Sequence, residues 1–340
     1  MYETLVLHDL EDNKCVLFGA ALSAEGEFKD TLAHVIPSAL GGRLKPSGIL
    51  STKANGVLNK WIDEPLIDMF GPGLSYFLDV SRDRGSSQQA ILNDQNGDSW
   101  QFKKGNDFII PTKPTVEHTR VSADERRFNF KGTPEQLKKF LKSQGLGKHY
   151  EEALANATPV SRTASEMILG MKPIRSSLLG FSAWTSIALF SAARLRVFSS
   201  TWRVLANRSS VVDGQPANTG FVPDGGIFDE DFGEFAHRIA LWNEPTTRRL
   251  IGYVQLFGGM GTGVIFGEEW DRPVSETYCV DPLTGAQGSP SFTPAHQFAE
   301  KFMPFNHPDV EADMLNVISR FADGIAAAGH GATRVVTEKK

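Results

Sequence analysis

His34, Asn55, Asn59 and Asp63 are the residues whose types and spacing suggest chemistry. An imidazole titrates near neutrality and can take a proton from water. An amide or carboxylate oxygen can help hold a hard divalent cation, and such a cation offsets charge gathering on a phosphoryl group. His34 stands in "TLAHVIP", an extended run closed by Pro37. Asn55 opens a helical pattern in which Val57, Leu58, Trp61, Ile62, Leu66 and Ile67 recur at helical spacing. In a regular helix Asn55, Asn59 and Asp63 share roughly one face, with Asp63 about 12 Å beyond Asn55 along the axis. Asn59 is near enough to assist Asn55; Asp63 is not. A base, a cation ligand and a scaffold for both are the three requirements of metal-assisted phosphodiester cleavage.

Each residue also has a plainer use. Asn55 can simply cap the helix, a role compatible with metal binding. His34 can be a satisfied core histidine, and Asp63 with Pro65 can organise the helix. Arg43, Lys45, Lys53 and Lys60 surround the loop and the helix start, where phosphate contacts are expected in a nuclease and a solvated face otherwise. His237 and Arg238, beside Trp242, read as structural strand residues. "GGMGTG" at 258–263 lacks a following Lys-Ser/Thr and a helix, so it reads as a glycine-rich turn rather than a phosphate loop.

The elements that must position these side chains alternate between short strands and helices. "ETLVLH" and "KCVLFG" predict a hairpin, and "GPG" at 71–73 a stop for the helix that Asn55 opens. Asn96-Gly97 predicts a tight turn between two strands. The prolines of "PTKPTVEHT" suggest a boundary, giving expected domains 1–115 and 116–340. Beyond it, Thr133, Pro134, Gln136 and Gly145 bracket a helix with a capping box. A long helix follows over roughly 175–205, then strands in "EFAHRIALWN", "RRLIGYVQLFG" and "GTGVIFG", a last helix from "DVEADM" and a loose polar tail. The fold class expected is α+β.

Composition narrows the field. With 340 residues, 41% hydrophobic and 22% charged, the chain can bury its cores and is not disordered throughout. A net charge of −5 argues against a surface given over wholly to polyanions, though a local basic groove fits. Cys15 and Cys279 are far apart and make no CxxC pair, so cysteine alone builds neither a disulfide framework nor a zinc ribbon. The opening residues do not read as a leader, and "SLLGFSAWTSIALFSAARLRVF" meets Arg194 and Arg196 too soon for a membrane span. A cytoplasmic protein with no membrane partner is expected.

Residues 15–67 resemble the HNH endonucleases of ββα-metal fold. The branch in question carries C-x-x-C, then an acidic residue before H-[IV]-I-P-x-x-L-G-G, then C-x-x-C-N and I-D-x-P-L. This chain has "CVLF" at 15–18, "AHVIPSALGG" at 33–42, "STKAN" at 51–55 and "IDEPL" at 62–66. "SRDRG" at 81–85, "AHRIALW" and "RLIGYVQLFG" extend the likeness more weakly, over nearly the whole chain. The resemblance implies an N-terminal ββα-metal module followed by a mixed domain of helices and antiparallel sheet. It implies Mg²⁺- or Mn²⁺-dependent hydrolysis of DNA, with RNA a weaker alternative and genome defence a suitable setting. His34 would be the base, with Asn55, assisted by Asn59, holding the metal. The C-terminal domain would position substrate, recognise a partner or form a homodimer.

The chain departs from that pattern in two places. Phe18, Ser51 and Ala54 stand where the family has its second, third and fourth zinc cysteines, so no structural zinc is expected, and packing of Phe18, Leu50 and Leu58 would replace it. Ala33 stands where the family has an acidic metal ligand. A degenerate site, an enzyme that completes its metal shell with substrate oxygens and water, and a replaced acidic residue are three explanations left open. The alternative to an endonuclease is a non-catalytic nucleic-acid-binding or regulatory protein that keeps the scaffold.

Overall fold

The computed structural model describes residues 7–77, 80, 89–94, 99–103, 110–120, 126–157, 167–168, 176–199, 218–222, 227–229, 232–293, 298–305 and 307–327. It is a mixed α+β protein of helices and antiparallel sheets. The first described element is β1 (Leu7–Asp9), and residues 15–19 then form a tight turn closed from the Gly19 N–H to the Cys15 carbonyl at 2.7 Å. Of the hairpin expected between "ETLVLH" and "KCVLFG", residues 3–6 lie outside the described residues; Leu7–Asp9 pair instead with Val197–Ser199, and the backbone groups of Cys15 are spent locally on Gly19 and Ala20. β2 (Asp30–Thr31) pairs antiparallel with β3 (Leu50–Ser51). α1 (Thr52–Leu58) starts on the next residue, since the Ser51 hydroxyl accepts the Ala54 N–H at 3.2 Å. That is the N-cap a helix start requires.

Ser51, and not Asn55, is therefore the cap. The helical path continues through a π turn (Asn59–Asp63) into α2 (Glu64–Phe77). α2 runs through Gly71-Pro72-Gly73 where the sequence predicts a stop. Leu66, Met69 and Phe70, just upstream, are buried, and tertiary anchoring of this kind outweighs local propensity.

Residues Ser86–Met171 form a compact unit by themselves. β4 (Gln89–Asp94) and β5 (Ser99–Lys103) pair antiparallel as the sequence predicts, with the Asn96-Gly97 turn outside the described residues. β6 (Ile110–Pro111) joins β5, while β7 (Thr115–Arg120) and β8 (Arg126–Lys131) make a separate hairpin. α3 (Pro134–Ser143) has the predicted capping box, Thr133 and Gln136 each bonding the other's backbone. α4 (Tyr150–Ala155) follows, and β9 (Met167–Ile168) returns to β4.

The other unit is discontinuous, joining Met1–Gly85 to Lys172–Lys340. The linear cut expected after residue 115 instead falls within β7. α5 (Ser176–Leu195) ends before Arg196, shorter than the helix expected to 205, and β10 (Val197–Ser199) pairs with β1. The main sheet comprises β11 (Thr219–Phe221), β12 (His237–Asn243), β13 (Arg249–Leu256), β14 (Gly259–Glu269), β15 (Ser275–Val280) and β16 (Gln287–Gly288). Its order is β11-β14-β13-β12-β15-β16, antiparallel throughout, which matches the expected meander at its centre. α6 (Pro308–Ala327) closes the described fold.

Both faces of this sheet are covered, and the strand period of two divides its side chains between two cores. Ile239, Leu241, Leu250 and Val254 enter the core that contains α5. Ala240, Trp242, Ile251 and Tyr253 enter an aromatic layer with Phe298, flanked by Phe228, Phe292 and Phe302. Gly252 brings α5 close: a Cβ there would lie 2.3 Å from the Ile187 side chain. α5 is long and apolar enough to span a membrane, but 83% of Leu178–Leu195 is buried inside the protein. Val16, Leu17, Ala33, Val35, Ile36, Ile49 and Leu50 belong to that same α5 core, which is why the N-terminal segment cannot be a domain apart.

Candidate functional site

The Cys15–Gly19 turn, the β2–β3 ribbon and α1 form one small ββα unit. The Val16 N–H donates to the Ile49 carbonyl at 3.0 Å, and the Val35 N–H to Leu44 at 3.0 Å, extending the ribbon beyond its two regular pairs. The start of α1 is tied back to the ribbon through the Thr52 and Lys53 N–H groups, which donate to Lys29 and Glu27 at 2.8 and 2.9 Å. Asp30 fastens the return strand, its carboxylate accepting the Gly48 N–H at 3.0 Å. His34 follows β2 and is half-buried, between buried Ala33 and Val35. Asn55, also half-buried, lies in α1, which packs against β2. Both candidate residues are thus carried by one unit.

The positions that resemble a zinc ribbon also meet, in altered chemistry. The Ser51 hydroxyl lies 3.4 Å from the Cys15 sulfur and the Ser51 N–H 3.5 Å from it. Ala54 is buried beside them and Phe18 is half-buried. One thiol and one hydroxyl with two apolar side chains make a poor zinc ligand set, and it is the Ser51 hydroxyl and N–H donating to the Cys15 sulfur that tie the turn to the helix start.

The loop after His34 is bolted to the main sheet. Its glycines are dictated by close approach: a Cβ on Gly42 would lie 1.8 Å from the Ile36 carbonyl oxygen. His237, completely buried on β12, accepts the Phe257 N–H at Nδ1 (3.0 Å), so its proton resides on Nε2 and is donated to the Leu40 carbonyl at 2.6 Å. Burial pushes the His237 pKa down to about 4, against the opposing pull of the Leu40 carbonyl and of Asp281. His237 is therefore a neutral structural link in this fold, as its strand context suggests.

The expected phosphate ligands are largely engaged. The Arg43 guanidinium sits against Gly285, where an added Cβ would come within 2.9 Å of it. Lys53 pairs with Glu27 at 3.1 Å and lies over Phe28 and Phe18 at 5.2 and 5.8 Å. Lys60 lies over Trp61 at 5.0 Å, and Lys45 is exposed. Asn59 donates through its amide nitrogen to Glu64 at 2.7 Å. Ala33 is 3% exposed and faces the core.

The π turn, which nothing in the sequence announces, alters the expected stripe. Its wider winding, with the Glu64 N–H reaching back five residues to Asn59, replaces the regular helix over Asn59–Asp63. Burial, reinforced by the neighbouring Glu64 charge, raises the Asp63 pKa to about 7. As a donor set for a hard cation the unit offers a neutral amide oxygen from Asn55, and among the described residues no group of three or more His, Cys, Asp or Glu converges. Such an ion would need phosphate or water oxygens to complete its shell. Compared with protein-family models, with curated proteins and with solved structures, the chain matches none of them.

Proposed function

We propose that this protein is an HNH-type endonuclease that hydrolyses DNA phosphodiester bonds with Mg²⁺ or Mn²⁺. The observation that carries the reading is the ββα unit itself, with His34 after its first strand and Asn55 on its helix. His34 takes a proton from the attacking water. Asn55 would hold the cation together with phosphate and water oxygens, and that ion would supply the positive charge that offsets charge on the phosphate and the leaving oxygen. Asn59 lends support from the next turn. The finer assignment of the unit as a ββα-metal module belongs to this proposal and rests on the motif series at 33–66.

The buried Ala33 favours a second reading, in which the scaffold binds nucleic acid without cutting it. Nicking of supercoiled plasmid separates the two. The nuclease reading expects metal-dependent nicking, blocked by EDTA and lost in His34→Ala. If the unaltered chain does not nick while Ala33→Glu does, the present chain is an inactive form. If neither cuts, the binding reading stands.

A further inference from the structure

The Ser86–Met171 unit carries a basic surface that the proposed site does not use. From Gln136 to Tyr150 the chain has four lysines and one histidine and no aspartate or glutamate, between the exposed Glu135 on one side and Glu151 and Glu152 on the other, in a protein of net charge −5. α3 fixes how they are displayed. Its half-buried Phe140 stacks with Phe128 and Phe130 of β8, at ring distances of 5.6 and 5.4 Å, and Leu141 is buried. Lys138, Lys139 and Lys142 are left exposed, with Lys148 exposed on the turn after the helix. Lys138 and Lys142 are one turn apart, about 6 Å along the axis.

These cations have little internal employment. Lys138 lies over Tyr150 at 5.4 Å and remains exposed. Among the described residues, no carboxylate pairs with Lys138, Lys139, Lys142 or Lys148, whereas nearby Glu152 faces His149 and Glu117 faces Lys131. Lys53 and Arg43, by contrast, are occupied. An amphipathic membrane helix needs an apolar face to insert, and the apolar side of α3 is already spent on β8. A cluster of exposed ammonium groups without an apolar wedge suits a phosphate backbone, read without regard to sequence.

We infer that the exposed face of α3 and the following turn, through Lys138, Lys139, Lys142 and Lys148, is a docking surface for the phosphate backbone of duplex DNA. This deepens the nuclease reading and rests on it for the identity of the polyanion, but binding is measurable without cleavage. The test uses the full chain in EDTA and a fluorescein-labelled 25-base-pair duplex, with anisotropy followed from about 50 to 200 mM salt. Changing all four lysines to glutamine should weaken binding roughly tenfold or more and reduce the salt slope by about one for each lysine that meets a phosphate. Circular dichroism and thermal melting should be unchanged, since these side chains are exposed. Unchanged affinity and slope in the folded variant would overturn the inference. So would lysine-dependent binding to vesicles of 30% phosphatidylserine in phosphatidylcholine without binding to the duplex. Loss of nicking in His34→Ala with duplex binding intact tests the chemistry separately, so the two proposals can fail independently.

Discussion

His34 and His237 lie in one compact unit, yet their surroundings differ in kind. His237 is sealed between the loop after His34 and the β13–β14 turn, with both ring nitrogens committed to backbone partners. His34 sits half-buried on the ribbon, between two buried neighbours. A histidine held neutral by burial and two backbone hydrogen bonds is a joint, whereas a half-buried one stays within reach of water. The difference teaches that residue type marks a candidate, and that burial and hydrogen bonding assign its work.

The largest effect should come from breaking the sealed side. His237→Ala strands the Phe257 N–H and the Leu40 carbonyl and leaves a cavity, costing about 4 kcal/mol in urea unfolding. His237→Asn, which can still accept the Phe257 N–H, should recover part of that. The pH dependence follows the same contact. With an ordinary pKa of 6.5 and a folded value of about 4, only the unfolded chain binds this proton between those limits. Stability therefore falls as pH drops from 6.5 towards 4, and His237→Ala should flatten this part of the profile. Gly42→Ala, which forces a methyl group against the Ile36 carbonyl, should cost about 3 kcal/mol.

Asp63 gives the opposite pH sign. Its folded pKa is about 7 against an ordinary 3.8, so the unfolded chain loses this proton first, and stability is lost as pH rises from 3.8 through 7. Asp63→Asn should stabilise by about 2 kcal/mol at pH 8, after discounting for partial exposure, and by almost nothing near pH 3.5. A variant no more stable than the parent at pH 8 would show that the carboxyl is not desolvated in solution. The smallest stability change is expected for His34→Ala, under about 1 kcal/mol. A cost equal to that of His237→Ala would erase the contrast between the two histidines.

Much of the secondary structure was legible. The helix from Pro134 carries its instructions locally, in Thr133, Gln136 and Gly145, and the central meander follows from alternating apolar residues joined by short turns. Of "GGMGTG", expected to be a turn throughout, only Gly258 belongs to the turn, with Phe257; residues 259–263 are already strand β14, because their backbone pairs with β13 and β11. The β1–β10 pairing was not legible, because its partners are separated in sequence by the whole of the other unit and more. Nor was the passage of α2 through a Gly-Pro-Gly sequence, where local preference points the other way.

At the site, the sequence by itself determined which residues are candidates: His34, Asn55 and the missing acid at Ala33 are matters of residue type and spacing. It also determined the loss of cysteines around Cys15. Only the tertiary structure decided that Ser51 caps α1 and touches the Cys15 sulfur, that a π turn interrupts the helix over Asn59–Asp63, and that Lys53 is ion-paired while, among the described residues, the lysines of α3 have no carboxylate partner. The physical reason is one of range. Caps, turns and periodicity act over a few residues and are written in the order of the chain, whereas burial, ion pairing and proton affinity depend on neighbours brought together only when distant segments share a core.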